Sequence, residues 1–300
     1  MSTSAAVARS LVQPTTEIQE TAKPASPFVK WVGGKGRVLP SLLPLLPPGV
    51  ERMRHVEPFV GGGAFFFHRQ PRRALLSDVN PALVSTYQVV QKHVDELIDC
   101  LKVHADLHSS EHYYAMRTRY NHEPSLTPIE KASLFIYMNK TCFNGLFRLN
   151  RKGEFNVPIG GYVRPSFQTL DELLDVQDAL QGVSIHTCSY EQCIDWADSS
   201  ALVYFDPPYR PLTKTSGFVS YSKDDFDDDD QRALAQVFRE LDSMGARLIL
   251  SNSDPKNSDP DDDFFDDLYS GFNIERIMAR RAINSNPAKR GDITEIIVTN

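Results

Sequence analysis

The sequence contains few of the residues that build cross-linked or metal-dependent folds. Its 300 residues include only four cysteines: Cys100, Cys142, Cys188 and Cys193. They form neither a CxxC pair nor a histidine and cysteine cluster with zinc spacing, and disulfide frameworks and structural zinc sites need such spacings. We therefore expect reduced thiols and no bound metal.

Long apolar runs are also missing. No stretch approaches the roughly eighteen consecutive apolar residues of a membrane span. The first residues lack the basic start and apolar core of a secretory signal. With 41% apolar residues the chain is still long enough to bury a full core. These features predict a soluble globular protein of the cytoplasm without a membrane partner.

Positive charge is scarce overall but concentrated in one region. The net charge is −7, yet residues 113–164 carry eight Lys or Arg against three Asp or Glu, a local charge of +5 that leaves −12 for the remainder. The negative total disfavours a protein that coats nucleic acid, whereas one basic face suits local contact with phosphates. An ordinary solvated surface is the alternative interpretation of this stretch.

Short apolar runs alternate with helical patterns along the chain. Residues 1–26, rich in Ala, Ser, Thr and Pro, are expected to form a disordered tail. Four later runs have strand character: residues 55–56, 74–76, 201–205 and 247–250. Between the last two runs, apolar residues recur at helical spacing: Leu234, Val237, Phe238 and Leu241. This order predicts an α/β fold with a parallel sheet. The acidic run 224–230 is interpreted as the cap of that helix rather than a metal site.

The tetrapeptide Asp206-Pro207-Pro208-Tyr209 follows the apolar run 201–205 and brings a carboxylate and an aromatic ring to the end of a predicted strand. An exocyclic amino group of a nucleobase is a poor nucleophile and needs acceptors for its hydrogens. Asp206 and the Pro207 carbonyl are candidates, because prolines hold a turn and add no N–H donors. Tyr209 offers a ring face for an extruded base. A simple proline turn is the alternative.

A glycine-rich turn follows the first predicted strand. Gly61, Gly62 and Gly63 lie between a strand-like run and an aromatic run, where a ligand can approach the backbone closely. The third glycine of a dinucleotide fingerprint would fall at Phe66, so the pattern alone is weak. Asp78 ends the next predicted strand, where a carboxylate can bind ribose hydroxyls.

Residues 28–36, 57–63, 77–80, 206–209 and 250–252 together resemble the motif series of the Dam-class (D12 family) N6-adenine-specific DNA methyltransferases. The resemblance covers about residues 27–300. It implies a doubly wound, Rossmann-like methyltransferase sheet that binds S-adenosyl-L-methionine. It also implies a set of cofactor-binding residues: Trp31, Lys35, Phe59, Gly61, Gly63, Asp78, Ser189, Tyr190 and Asp206.

Residues 139–158 mix basic, amide and aromatic side chains, and we expect a β-hairpin with residues 151–153 at its tip. Arg148 can bind a guanine edge in a bidentate manner, and Asn144 can contact a base or fill the gap of a flipped base. The likeness to Dam enzymes is closest here, which implies methylation of adenine in GATC of double-stranded DNA. The DNA-binding residues so implied are Lys30, Asn144, Leu146, Arg148, Asn150, Asn156 and Pro158. Gly161 departs from the family, whose members often have a basic residue there.

The order of the motifs implies two structural parts after the tail. Residues 27–85 and 169–300 are assigned to the cofactor-binding catalytic domain. Residues 86–168 are assigned to an inserted, mainly helical target-recognition domain that carries the hairpin. Near the end, a polar loop with basic pairs at 280–281 and 289–290 joins two strand-like runs and resembles the closing hairpin of the family.

Two alternative functions stay open at this point. The loop at Asp206 can also hold the amino group of cytosine, although N4-cytosine enzymes more often have Ser in place of this Asp. A DNA-binding protein that has lost catalysis is the second alternative, and the intact loop argues against it.

Overall fold

The computed structural model describes residues 25–162, 170–210, 226–280 and 292–300. The predicted tail lies outside these residues except for its last two positions, and Ala25 is already buried in the core. The basic residues at 281, 289 and 290 and the first two acids of the run 224–230 also lie outside. Within the described residues, no helix is long and apolar enough to cross a membrane.

One mixed sheet organises the described part of the chain. Its strands are β1 (Arg54–Glu57), β2 (Ala74–Asp78), β3 (Ser184–Thr187), β4 (Ala201–Phe205), β5 (Arg247–Ser253), β6 (Asn273–Arg280) and β7 (Asp292–Thr299). Across the sheet the order is β3-β2-β1-β4-β5-β7-β6. Strands β1 to β5 are parallel, and β7 runs antiparallel between β5 and β6. The four predicted parallel strands and the predicted closing strand pair are confirmed.

The strand order reverses between β1 and β4. At such a switch point the loops after the two strands diverge, and ligands of open α/β sheets bind in the crevice that they leave at the carboxyl ends. The edge strand β3 was not predicted from the sequence, because it has only four residues and only Ile185 among them is buried. The loops after β1 and β4 therefore border the crevice in which a ligand is expected to bind.

The helices found in the described residues are α1 (Leu39–Leu42), α2 (Ala64–Arg69), α3 (Pro81–Lys92), α4 (Val94–Asp106), α5 (Ser110–His122), α6 (Pro128–Thr141), α7 (Leu170–Ala179), α8 (Asp228–Ser243) and α9 (Phe264–Leu268). Helix α8 is the predicted crossover helix. The side chain of its N-cap, Asp227, accepts hydrogen bonds from the backbone N–H groups of Asp229 and Asp230, and the Asp230 side chain accepts one from the backbone N–H of Asp227. The interpretation of the acidic run as a helix cap is confirmed for these residues.

The two faces of the sheet pack against different layers because side chains alternate along each strand. One face packs against α8 and contributes Val56, Val203, Phe205, Leu250 and Val298. The other face packs against α1 and α2 and contributes Leu202, Tyr204, Ile249 and Ile297. His55 lies on this second face, where its ring is 5.3 Å from that of Phe65. This second face carries polar side chains such as His55 and Ser251 as well as apolar ones, and the candidate site residues described below extend it.

Helices α3 to α7 lie between β2 and β3 in the chain. Helix α3 starts at the Asn80 cap and runs without a break through residue 86, the predicted boundary of the recognition domain. Its Gln88 donates to the carbonyl of Ile185 on β3, and Gln91 donates to those of Leu180 and Val183. Side chains of α3, α4, α6 and α7 share one core with β2 and β3. The helical part is thus continuous with the sheet, and the division at 86–168 stays a prediction.

The segment after α6 turns back on itself. Antiparallel bridges join Leu149 to Phe155 and Cys142 to Ile159. At the tip, the Asn150 side chain accepts hydrogen bonds from the backbone of Lys152 and Glu154. The predicted hairpin with residues 151–153 at its tip is therefore present.

The cap of α8 gives a first prediction. Asp227→Ala removes the acceptor for two otherwise unpaired N–H groups, so it is expected to lower the free energy of unfolding by about 1 kcal/mol. Urea denaturation measures this loss. Glu240→Ala, an exposed change at the other end of the same helix, is the control and is expected to leave stability unchanged. Equal midpoints for both variants would contradict the capping role.

Candidate active site at the carboxyl end of the sheet

Asp206 is the first residue after β4 and lies at the switch point. Its Oδ1 atom is 2.6 Å from Nζ of Lys35 and accepts a hydrogen bond from the Ser251 hydroxyl at 3.1 Å. The Tyr204 hydroxyl is hydrogen-bonded to the same Ser251 hydroxyl at 3.1 Å. Burial raises the pKa of Asp206, and the Lys35 ammonium is the largest opposing influence. The carboxylate is thus fixed by an ion pair and a hydroxyl, both on one of its oxygens.

Lys35 comes from the short 3₁₀ turn Lys35–Arg37 near the start of the described chain, and only 4% of it is exposed. Its ammonium also donates to the Gly33 carbonyl at 2.7 Å and lies 4.5 Å above the centre of the Tyr209 ring. A buried ammonium needs such partners, because an unpaired charge is costly away from water. Lys35 therefore joins the segment 28–36 to the loop after β4.

Strand periodicity explains why further carboxylates meet here. Asp206 follows Tyr204 by two positions, Glu57 follows His55 by two, and Glu295 precedes Ile297 by two on an antiparallel strand. All three extend the face that packs against α1 and α2, so they converge at its carboxyl edge. Burial, and after it the charge of Asp206, raises the pKa of Glu57 well above its usual range.

Glu57 lies in the motif 57–63, but no role for it was predicted from the sequence. His55 Nε2 lies 2.9 Å from Glu57 Oε2, and His55 Nδ1 lies 2.8 Å from an N–H group of Arg69. Because a guanidinium only donates, Nδ1 must be the unprotonated nitrogen and Nε2–H donates to Glu57. Burial lowers the pKa of His55, which agrees with a neutral ring. The signal available in the sequence was two polar, titratable residues two positions apart within a strand-like run.

The loop that follows β4, residues 206–210, is held by side chains of α8 and of the segment before α9. The Pro208 carbonyl accepts a hydrogen bond from the Gln231 side chain at 3.2 Å, and Gln231 in turn accepts one from Asn252. Arg210 donates to Asp228 and Asp262, both at 2.7 Å. Among the described residues no hydrogen bond reaches the carbonyl of Pro207. The predicted acceptor carbonyl is thus left available in this part of the structure.

The glycine turn after β1 forms a narrow cradle. Gly61 and Gly63 have φ values of +47° and +69°, a region that side chains disfavour. A Cβ atom added to Gly61 would lie 2.6 Å from the Trp31 ring. The Gly61 N–H donates to Asp78 at 3.1 Å, and the Asn80 N–H donates to its other oxygen at 2.9 Å. Trp31, the glycines and Asp78 therefore form one group, as predicted residues of a single site would.

A second group contains aromatic rings. Phe59 stacks on Tyr190 with ring centres 5.4 Å apart, and Phe226 contacts Phe59 edge-on at 5.9 Å. Ser189 is the residue before Tyr190, and the neighbouring Cys188 donates its N–H to the Asp78 carbonyl at 3.3 Å. The structure thus places Ser189 and Tyr190 beside the end of β2, where Asp78 of the cradle lies.

Lys30 and the hairpin form a third group. The Asn139 side chain bonds both the N–H and the carbonyl of Lys30, at 2.7 and 2.8 Å, and the Lys30 ammonium donates to the Tyr162 hydroxyl at 2.8 Å. Asn144 has a φ of +56°, and the adjacent Phe143 is 53% exposed. Phe143 is a large apolar side chain beside predicted DNA-binding residues, and the predicted set omitted it.

The other predicted DNA-binding residues occupy the hairpin itself. Arg148 donates from Nε to the Asn156 side chain at 2.8 Å, and Asn150 caps the hairpin tip. The Pro158 carbonyl accepts a hydrogen bond from the N–H of Phe143. Leu146 is partly buried against a cluster that the hairpin shares with helices α5 and α6. Asn150 and Asn156, expected near phosphates, thus have structural partners inside the hairpin.

Several acidic residues of the carboxyl-terminal half are paired with basic side chains. Arg276 bonds Asp254 and Asp266, and Lys256 bonds Asp263 and Asp266. The described residues contain no group of three or more His, Cys, Asp or Glu side chains that could hold a metal ion. Asp254 is buried and the other acids of these ion pairs are more exposed, so the network reaches from the interior to the surface.

The mixed sheet, the glycine turn after β1 and the acid ending β2 are consistent with a methyltransferase fold. Comparison with known proteins then identifies the family: the chain belongs to the D12 class N6 adenine-specific DNA methyltransferases, whose family pattern matches residues 31–283. The protein is an adenine-specific DNA methyltransferase. This family methylates the amino group of adenine, which decides against the alternative of cytosine. Its members are enzymes, which decides against the alternative of a DNA-binding protein without catalysis.

Similar proteins cover most of the chain. The type II methyltransferase M.MjaIII of Methanocaldococcus jannaschii is 41% identical, over 91% of this chain and 98% of its own. The type II methyltransferase M1.LlaDCHI of Lactococcus lactis subsp. cremoris is 39% identical, over 91% and 95%. The DNA adenine methylase of Haemophilus influenzae is 34% identical, over 90% and 92%.

The cradle gives a second prediction. Gly61→Ala places a methyl group against Trp31 at a positive φ, so the variant is expected to lose more than about 1 kcal/mol of unfolding free energy. Gly36→Ala is the matched control, since a Cβ there meets nothing within 4 Å. Urea denaturation of both variants measures the difference. If Gly61→Ala were as stable as Gly36→Ala, the close packing of the cradle would be contradicted.

Proposed function

We propose that this methyltransferase uses S-adenosyl-L-methionine to methylate the exocyclic amino group of adenine in GATC sequences of double-stranded DNA. We further propose that the adenine leaves the helix and enters the loop formed by Asp206 to Tyr209. A DNA substrate agrees with the cytoplasmic location expected from the sequence.

The observation that carries the proposal is the direction of the contacts to Asp206. Lys35 and Ser251 both reach Oδ1. Among the described residues, no hydrogen bond reaches Oδ2, so this oxygen and the Pro207 carbonyl are the acceptors for the two amino hydrogens. Accepting both hydrogens lessens the delocalisation of the nitrogen lone pair into the ring. Bound S-adenosyl-L-methionine would supply the methyl group and keep the released electron pair as a neutral thioether, and the amino hydrogen that the nitrogen loses would pass as a proton by way of Asp206 Oδ2 to solvent.

The proposed methyl donor fits the residues present. S-adenosyl-L-methionine supplies a methyl group activated by a positively charged sulfur. Each oxygen of Asp78 accepts one backbone N–H and can accept a second bond, as from ribose hydroxyls. Gly61 and Gly63 allow close approach of a ligand to the backbone, and Phe59 presents a half-buried ring. The carboxylates at the sheet edge favour a cationic group.

Extrusion of the base is supported by two aromatic side chains. Tyr209 is half-buried beside Asp206, where its ring can stack on an adenine, and such stacking offsets part of the unstacking cost of a few kcal/mol. Phe143 is 53% exposed at the base of the hairpin. An exposed apolar ring there can enter the space that a flipped base vacates.

Sequence reading is assigned to the hairpin and Lys30. Asn156 fixes the guanidinium of Arg148 through Nε, which leaves the terminal N–H groups to bind a guanine edge. The Asn139 side chain holds the backbone of Lys30, so the side chain of Lys30 starts from a fixed position near the hairpin. Arginine and lysine are the usual readers of guanine, and GATC contains a guanine on each strand.

Removal of one acceptor tests the chemistry. Asp206→Asn keeps the volume of the side chain but turns one oxygen into an N–H donor, so the single-turnover rate of adenine methylation is expected to fall at least about 100-fold. Asp261→Asn, which neutralises an exposed acid, serves as the control and should match the unmodified enzyme. Thermal unfolding confirms that both variants are folded. A rate near normal for Asp206→Asn would refute its role as acceptor.

The sequence-reading assignment has its own test. Arg148→Ala is expected to reduce discrimination against one altered base pair by about 1–3 kcal/mol, because a bidentate base contact is lost. Rates on GATC duplexes are compared with rates on duplexes in which each position is changed in turn. Arg151→Ala at the hairpin tip is the control and should weaken binding equally on all sequences. Unchanged discrimination in Arg148→Ala would contradict the assignment.

A further inference from the structure

The hydroxyl of Tyr209 has a partner that stacking alone does not require. It donates to Oε2 of Glu295 at 2.6 Å, a short distance typical of a bond to a charged acceptor. Stacking on a base uses only the face of the ring, which phenylalanine offers equally well. The hydroxyl and its carboxylate partner therefore have a separate role.

Glu295 is rigidly placed by the sheet. It lies on β7, which pairs with β5 on one side and β6 on the other, and its partners across the ladders are Ser253 and Ile277. A strand bonded on both sides does not shift without breaking two ladders. The backbone of Glu295 is thus held between β5 and β6, whereas Tyr209 belongs to the loop after β4.

The ring of Tyr209 is consequently held at two points. Its hydroxyl is bound to Glu295, and the Lys35 ammonium lies 4.5 Å from the ring centre. Lys35 is itself paired with Asp206, the proposed acceptor for the amino hydrogens. The orientation of the ring and the position of the acceptor are therefore set by the same group of side chains. Burial raises the pKa of Tyr209 above its usual range, which keeps the phenol as a donor.

We propose that Glu295 is a positioning residue for methyl transfer, which acts by fixing the ring of Tyr209 through the hydroxyl. The proposal rests on the stacking role of Tyr209 given above. A fixed ring holds the base so that its amino group meets Asp206 and the Pro207 carbonyl, and small errors of placement at a reacting centre lower the rate strongly. Without Glu295 the ring remains but its orientation varies.

A double-mutant cycle tests this role. Single-turnover rates of adenine methylation and duplex affinities are measured for Glu295→Ala, Tyr209→Phe and the double variant. Each single change is expected to lower the rate about tenfold, as for a lost hydrogen bond to a charged group, with DNA affinity nearly unchanged. Because both remove the same bond, the double variant should be no slower than either single variant. Glu295→Gln keeps an acceptor and should recover part of the rate.

Two further variants complete the design. Glu275→Gln neutralises an exposed carboxylate on the adjacent strand β6 and should leave the rate unchanged. Tyr209→Ala removes the ring itself; a normal rate in that variant would refute the stacking role in the proposed function. If Tyr209→Ala is slow but Glu295→Ala is not, only the role of Glu295 fails. Multiplied losses in the double variant would likewise overturn it, since Glu295 would then act by another route.

Discussion

The ion pair between Lys35 and Asp206 is the interaction on which the rest of the site depends. The alternation of side chains brings Glu57, Asp206 and Glu295 to one edge of one sheet face, and Lys35 is the cation that enters among them. Removal of one member of a buried pair leaves an uncompensated charge, which typically costs about 3–5 kcal/mol. The ion pair therefore depends on the docking of segment 28–36 against the loop after β4.

This docking couples three regions that are distant in the sequence. Lys35 binds Asp206, Trp31 packs against the glycine turn, and Lys30 is held by Asn139 of α6. One short segment thus contacts the proposed acceptor, the proposed cofactor cradle and the proposed sequence-reading region. The positions of these three regions are therefore set in part by the same nine residues.

Sequence analysis predicted what is local and periodic. The parallel strands, helix α8 with its Asp227 cap and the hairpin tip all follow from spacing or turn chemistry, and they are confirmed. Long-range polar contacts were beyond its reach: Tyr209 and Glu295 are 86 positions apart, and the buried series of Arg69, His55 and Glu57 joins a helix to a strand. Nothing in a residue's immediate neighbours indicates which distant strand will lie beside it. Strand β3 was missed because its exposure pattern resembles that of a loop.

The central claim is that this site methylates adenine in GATC with S-adenosyl-L-methionine as donor. The most direct measurement incubates the protein and this donor with DNA that lacks adenine methylation and maps every modified base by single-molecule sequencing. The account predicts methyl groups on adenine, confined to GATC, and none when the donor is omitted. Adenine methylation at a different sequence would contradict the assignment of Lys30 and Arg148 as readers of GATC. Modified cytosine would contradict the chemistry assigned to the loop at Asp206.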